Sequence, residues 1–236
     1  MRELPSGFLA GIGLTRLRVY EDRPAPDGEQ CGCAHVHAFT DEAYYVVSGR
    51  GAIDLHDLSQ GFRHVELAPG DFVQFAPGTL HRSISTHKLE VLALMSNAGL
   101  AERGDARIYF GPLVDDAPDE YARLQALPRT QGLEGALLRR DASVRAYGPL
   151  MDLWKTDRDA YFAELSRFVA LHARLAGARA AEFASFVDAG PAEWLRQTRA
   201  RLRSHDPAAG RPASVVRPAD ACPYRRRCPS TRVVDA

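Results

Sequence analysis

Lysine is nearly absent from this chain of 236 residues: Lys88 and Lys155 are the only two, so 28 of the 30 basic side chains are arginine. Surplus charge is absent as well, since 30 acidic residues balance them to a formal net charge of zero. A chain without excess charge offers no footing for nucleic acid or for an anionic membrane. Long apolar runs are missing. The stretch Met1–Leu14 has a short apolar core broken by glycines, with Arg2 and Glu3 ahead of it, which reads neither as a membrane span nor as a signal peptide. The expectation is a cytoplasmic protein. Cysteine is scarce, with Cys31 and Cys33 close together and Cys222 and Cys228 near the C-terminus. The spacing of Cys222 and Cys228 fits no familiar zinc module, and an intracellular disulfide between them is not expected. No internal repeat is evident.

What the chain does have is a clustered set of metal-type donors. His35-Val-His37 is followed by Glu42 and, after the segment Gly70-Asp-Phe-Val-Gln-Phe-Ala-Pro77-Gly78, by His81. Side chains two apart on a strand point to the same side, with Cα atoms roughly 7 Å apart. His35 and His37 can therefore converge from one wall. Glu42 opens the β-forming run Glu42-Ala-Tyr-Tyr-Val-Val-Ser48, and a hairpin across Ala38–Asp41 would return its carboxylate to the histidine face. The Pro77-Gly78 turn would bring in a further strand carrying His81.

Residues 1–98 read as short strands at 15–20, 33–38, 42–48, 51–56, 63–67, 72–75, 81–85 and 89–95. Gly49-Arg-Gly51 and Ser59-Gln-Gly61 read as turns between them. Eight such strands suit a mainly β, double-sheet jelly-roll barrel. Residues 99–205 change to helical periodicity. One helix starts at Pro118, with proline at its first position. Another spans Asp157–Ala176, capped by Asp157, with Phe162, Leu165, Phe168, Val169, His172 and Leu175 on one stripe. His172 there is expected to be a hydrogen-bonded core histidine. A third helix starts at Gly190-Pro191 and carries Trp194, Leu195 and Leu202, its arginines 196, 199, 201 and 203 forming a solvated face. Tyr147, Trp154 and Tyr161 either line a capped barrel mouth or form the core of the helical layer. Residues 206–236 read as a flexible tail.

The two groups of residues around the donors resemble the two motifs of the cupin superfamily. The first motif reads His35-Val-His37-Ala-Phe-Thr-Asp-Glu42 with Gly49 seven beyond. The second reads Gly70-Asp71, a short apolar strand, Pro77-Gly78-Thr-Leu-His81. The early glycine falls at Gly28, one residue out of place, Ser85 stands where the motif closes with Asn, and Ala76 where Pro is frequent. The resemblance covers roughly residues 12–98. It implies a double-stranded β-helix barrel with an α-helical C-terminal region, metal ligands His35, His37, Glu42 and His81, and a homodimer.

Three imidazoles and a carboxylate fill four positions of an octahedron and leave two open. One divalent metal ion per chain follows, Fe(II) first, with Mn(II), Ni(II), Co(II) or Zn(II) as alternatives. Glu66, Asp41 or backbone carbonyls would orient the second ring nitrogens. Strand parity puts Tyr44 and Val46 on the face of Glu42, Ser83 and Ser85 on that of His81, and Cys33 on that of His35. The family's inward pattern adds Val73 and Phe75. Arg16 and Arg18 would grip a carboxylate if they point inward, whereas Arg82 should face out. Tyr44 and Glu42 are the candidate catalytic residues. The function expected is a metal-dependent enzyme on a small organic molecule, foremost a mononuclear Fe(II) dioxygenase. A redox-neutral isomerase or lyase and a non-catalytic ligand-binding module remain as alternatives.

Overall fold

The computed structural model describes residues 9–205, 215–220 and 231–234. Eight antiparallel strands form the barrel: β1 Gly13–Arg18, β2 Gln30–Cys31, β3 His35–His37, β4 Glu42–Asp57, β5 Gly61–Leu67, β6 Phe72–Phe75, β7 Leu80–Met95 and β8 Ala106–Ile108. The strands expected at 42–48 and 51–56 are one strand of 16 residues, and those at 81–85 and 89–95 are another. These two pair from Glu42↔Met95 to His56↔Leu80, with register shifts between Val46 and Gly51. Gly49-Arg-Gly51 is therefore a bulge that bends a continuous strand, not a turn. Gly49 takes φ 78°, and a Cβ there would run into the Lys88 carbonyl. Ser59-Gln-Gly61 does belong to a reversal, in which the Asp57 carboxylate accepts from the amides of Ser59 and Gln60 at 2.9 and 2.7 Å.

Alternation sorts the two faces of the sheet. Tyr44, Val46, Ile53, Leu55, Val91 and Ala93 point inward and fill the barrel with Leu67, Phe75 and Leu89. Ala34, Val36 and Leu80 point outward, where the helical layer covers them with Tyr147, Leu150, Tyr161, Leu165 and Phe168. Fully burying one such large apolar side chain contributes about 1.5–3 kcal/mol. The sheet does not end at residue 98, because β8 pairs with β3 from His35↔Ile108 to His37↔Ala106.

The helices are α1 Pro112–Asp115, α2 Pro118–Thr156, α3 Arg158–Gly177, α4 Ala180–Val187 and α5 Glu193–Ser204. Proline opens α2 as expected, and Gly132, at φ 61° and ψ −132°, breaks it. The Asp157 carboxylate caps α3 by accepting from the Ala160 amide at 3.0 Å. On α3 the buried stripe is Tyr161, Leu165, Phe168, His172 and Ala176, while Leu175 is exposed. Gly190-Pro191 lies in a π-turn, Asp188–Ala192, ahead of α5, and Leu195 and Leu202 on α5 face solvent. None of the described helices is long and apolar enough to cross a membrane. Of the segment read as a tail, 215–220 and 231–234 form strands β9 and β10. They pair antiparallel with each other, and β9 runs parallel beside β1. Cys222 and Cys228 lie outside the described residues, as do residues 1–8 of the N-terminal stretch.

A buried polar chain joins the two layers. His56 Nε2 lies 2.7 Å from the Tyr147 hydroxyl, and its Nδ1 lies 2.8 Å from the Tyr161 hydroxyl. Tyr147 donates to Asp54 Oδ2 at 2.9 Å, which leaves its oxygen to accept from His56 Nε2–H. His56 Nδ1 then accepts from Tyr161, so both ring nitrogens of His56 and both tyrosine hydroxyls are matched. Arg82 completes it, 3.3 Å from Asp54 and 2.6 Å from Asp27, with its guanidinium 4.3 Å above the Tyr147 ring. Arg82 faces outward as expected, but beneath the helices rather than into water. Tyr147 and Tyr161 belong to this interface, and Trp154 packs with Tyr161, Phe162 and Phe62, so the three aromatics form the helical-layer core.

Candidate metal centre

His35 and His37 project from one side of β3, because Val36 between them turns to the helical layer. His81 stands beside His35 on the neighbouring strand β7, the ring centroids 4.0 Å apart. Glu42 begins β4, which pairs with β6 and β7 but not with β3. The carboxylate thus reaches the histidines across the barrel interior, and the hairpin expected between them is replaced by this crossing. One donor atom from each of His35, His37, Glu42 and His81 lies within 4.8 Å of the others. Glu42 Oε2 is 3.1 Å from His37 Nε2 and 3.2 Å from His81 Nε2.

Proton placement decides what this cluster can hold. His35 Nδ1 faces the Cys33 carbonyl at 3.1 Å, and His81 Nδ1 faces the Thr79 carbonyl at 3.0 Å. His37 Nδ1 faces the Asp105 carboxylate at 3.1 Å. Each of those oxygens only accepts, so each Nδ1 carries the hydrogen, and each ring in its neutral, metal-binding form turns an Nε2 lone pair toward Glu42. Glu42 Oε2 and His81 Nε2 are buried without a hydrogen-bond partner. Lone pairs and a carboxylate converging out of water repel one another unless a cation lies among them. The donor set fits a divalent metal.

Taken without a cation, the same groups share their protons differently. Burial, followed by the adjacent imidazoles of His81 and His37, holds His35 well below the usual histidine range. Burial also pushes His37 down, but Glu42 and Asp105 on either side outweigh it and raise it to about 9, so without a cation His37 takes a second proton on Nε2, facing Glu42 Oε2 at 3.1 Å, which a metal would displace. Burial pushes Glu42 up, yet His37 and His81 win and keep its carboxyl well below the ordinary range. The net result is an ionised carboxylate held inside the barrel.

Of the wall residues expected from the sequence, three gather at the ligands. The Tyr44 ring lies 6.4 Å from that of His81 and 5.6 Å from that of Phe75, and Phe75 is 4.5 Å from His81. Burial, then the charge of Glu42, pushes the Tyr44 hydroxyl well above its normal value, while Ser83 beside it pulls the other way. Val46 and Val73 belong to the apolar interior. Ser85 serves the strand bend, donating to Glu21 at 2.8 Å and accepting from the Leu89 amide at 2.9 Å. The Cys33 thiol is surrounded by Arg139, Arg140 and Asp141 of α2, so only its carbonyl serves the centre. Arg16 and Arg18 do not enter the barrel: Leu17 between them packs inward, and both pair outside with Glu90, at 2.6 and 2.8 Å.

The orienting groups also differ from expectation. Glu66 is exposed and 3.5 Å from His64, and Asp41 meets Ser96 through its backbone amide. Backbone carbonyls take two of the three roles. The third falls to Asp105, which sequence reasoning missed. It lies 68 residues from His37 and just ahead of the short strand β8, and no spacing rule connects the two.

Residues 24–96 match the family model described as the cupin domain. No curated protein matches the chain. A cupin protein from Bacteroides fragilis is 24% identical, covering 39% of this chain and 70% of its own length, with a TM-score of 0.29. A putative sugar phosphate isomerase from Acidithiobacillus ferrooxidans is 28% identical over 36% of this chain and 49% of its own, with a TM-score of 0.28. A TDP-fucose-3,4-ketoisomerase from Campylobacter jejuni is 10% identical over 35% and 57%, with a TM-score of 0.30. The chain thus spans only about half the length of the last two.

Proposed function

Residues 24–96 are a cupin domain, and from that premise we propose that the chain is a metal-dependent enzyme acting on a small organic molecule, foremost an Fe(II) dioxygenase. A scaffold hosts many chemistries, so the site has to carry the argument. The observation that carries it is the convergence of three Nε2 lone pairs and the Glu42 carboxylate within 4.8 Å. Four protein donors leave two octahedral positions, enough for a chelating substrate or for substrate beside O₂. Fe(II), when bound, would supply the one-electron chemistry that O₂ requires.

The chain's own residues supply the surroundings. Phe75, Val46, Ile53 and Leu55 make the interior dry and apolar, and with Arg16 and Arg18 outside they supply no guanidinium to it. Such a wall suits an apolar body with two chelating oxygens better than a phosphate. Tyr44 keeps its proton because its hydroxyl is buried, so its role is to donate a hydrogen bond at a substrate oxygen, with Ser83 holding its orientation. Glu42 acts as a ligand.

A second reading, a redox-neutral isomerase or lyase, draws on the placement of Tyr44 directly beside the ligand carboxylate, where a hydroxyl can hold or pass a proton at an enolate oxygen. The proposal includes a cytoplasmic homodimer, which sedimentation at micromolar concentration tests. The deciding experiment is elemental mass spectrometry on protein purified without oxygen, beside His35→Ala/His81→Ala. Near-stoichiometric iron lost in the variant is the expected result, followed by O₂ uptake with chelating substrates. Manganese, nickel or zinc lost in the variant shifts the assignment to the redox-neutral branch. Metal no higher than the variant's, even after reconstitution, leaves a ligand-binding module.

A further inference from the structure

The three histidines are not equivalent. His35 and His81 each turn Nδ1 to the carbonyl two residues earlier in the chain, just ahead of their own strands, an arrangement local backbone provides unaided. His37 instead meets a carboxylate, that of Asp105, which is wholly buried. An ionised partner on Nδ1–H pushes electron density to Nε2 and makes that ring the strongest of the three nitrogen donors.

Asp105 is itself held from several sides. Its second oxygen accepts from the Phe39 amide at 2.7 Å, and its carbonyl accepts from the Ala38 amide at 3.0 Å. The two residues after His37 are thereby pinned to the residue that orients its ring. The same carbonyl accepts from His172 Nε2 at 2.6 Å. His172 is buried within the apolar stripe of α3, and this bond spends its one N–H on Asp105. A helix outside the barrel therefore reaches the metal centre through two hydrogen bonds and one residue.

We propose that Asp105 is a positioning residue for His37 and that His172 positions Asp105, so that the helical region sets how tightly the centre holds a divalent cation. This rests on the metal-centre reading above. It assigns to residues 105 and 172, both beyond the matched span 24–96, a part in cation affinity that the ligand motifs do not contain.

The test is titration of metal-free full-length protein with Co(II), followed by its d–d absorption, with the melting temperature of every variant measured alongside. Asp105→Asn keeps the size and one acceptor, but a single oxygen cannot serve both Phe39 and His37. It is expected to weaken Co(II) binding by about 10–100-fold and to alter the absorption envelope. His172→Leu removes the donor and is expected to weaken binding in the same direction, whereas His172→Gln, whose amide can still donate, recovers most of the loss. Tyr161→Phe is the control: it lowers stability at the same layer interface without touching Asp105, and should bind Co(II) like the wild type. Wild-type affinity and spectrum in both Asp105→Asn and His172→Leu would overturn the proposal, leaving Asp105 as a brace for the 38–40 turn. So would a Tyr161→Phe loss equal to theirs, which would make affinity a mere reflection of stability. Should Asp105→Asn fail to fold, the contrast between His172→Leu and His172→Gln decides alone. Failure of the metal reading looks different, because wild type and His35→Ala/His81→Ala would then give the same featureless titration.

Discussion

Glu42 is the single anionic donor among the ligands, and inside an apolar barrel its charge needs a cation beside it, whether protonated His37 or a metal. Glu42→Gln keeps the shape and removes the charge. Competition against a chelator should show a loss of divalent-metal affinity larger than the about 100-fold upper range for an orienting partner. At this scale much was legible from sequence. Period-two alternation put His35 and His37 on one side, and the spacing of Glu42 and His81 completed the set. Parity states which residues share a side but not which side is inward, so Arg16 and Arg18 remained open until Leu17 was seen to take the interior. Asp105 was illegible for a different reason: its bond to His37 depends on where β8 returns to β3, a tertiary event without a local signature.

Strands β4 and β7 show how an element can be read correctly in pieces and wrongly in connection. Glycine at 49 signalled an interruption, and local propensity cannot distinguish a reversal from a bulge in a continuing strand. Gly49→Ala would need φ near 78° and would press a methyl against the Lys88 carbonyl. A loss of about 1–3 kcal/mol is expected in urea denaturation. The seam between sheet and helices carries its own pH dependence. Burial first, opposed by Asp54 and reinforced by Arg82 and His81, lowers His56 to about 4. The unfolded chain takes up a proton near pH 6.5, whereas the folded chain refuses it until about 4. Stability from the neutral ring is full above 6.5 and drains as pH falls toward 4, by up to about 1.4 kcal/mol per pH unit. Denaturation at pH 7 and pH 5 should show a smaller difference in His56→Gln than in wild type. An equal difference would remove His56 from the account.

For the molecule as a whole, the four ligands come from β3, β4 and β7, strands that close the barrel from different sides. A cation bound there ties them together in the folded state and finds no such set in the unfolded chain. At a free metal concentration about 100 times the dissociation constant, the fold gains about 2.7 kcal/mol. Chelation should therefore lower the melting temperature by several degrees in wild type and leave His35→Ala/His81→Ala unmoved, as calorimetry can read. The two-part organisation was visible in the change from period two to helical period after Asn97. How the parts meet was not visible, since the sequence does not say that the outer face of β3 and β7 lies beneath α2 and α3.

That covered face has a bearing on modularity. Excising the chain after Asn97 would preserve every ligand and both motifs, and by motif the fragment would look complete. It would also strip the strand that seals β3, lay bare Ala34, Val36 and Leu80, and leave His56, Asp54 and Arg82 without their tyrosines. The helices are a wall of the same building, and this barrel is not a portable part.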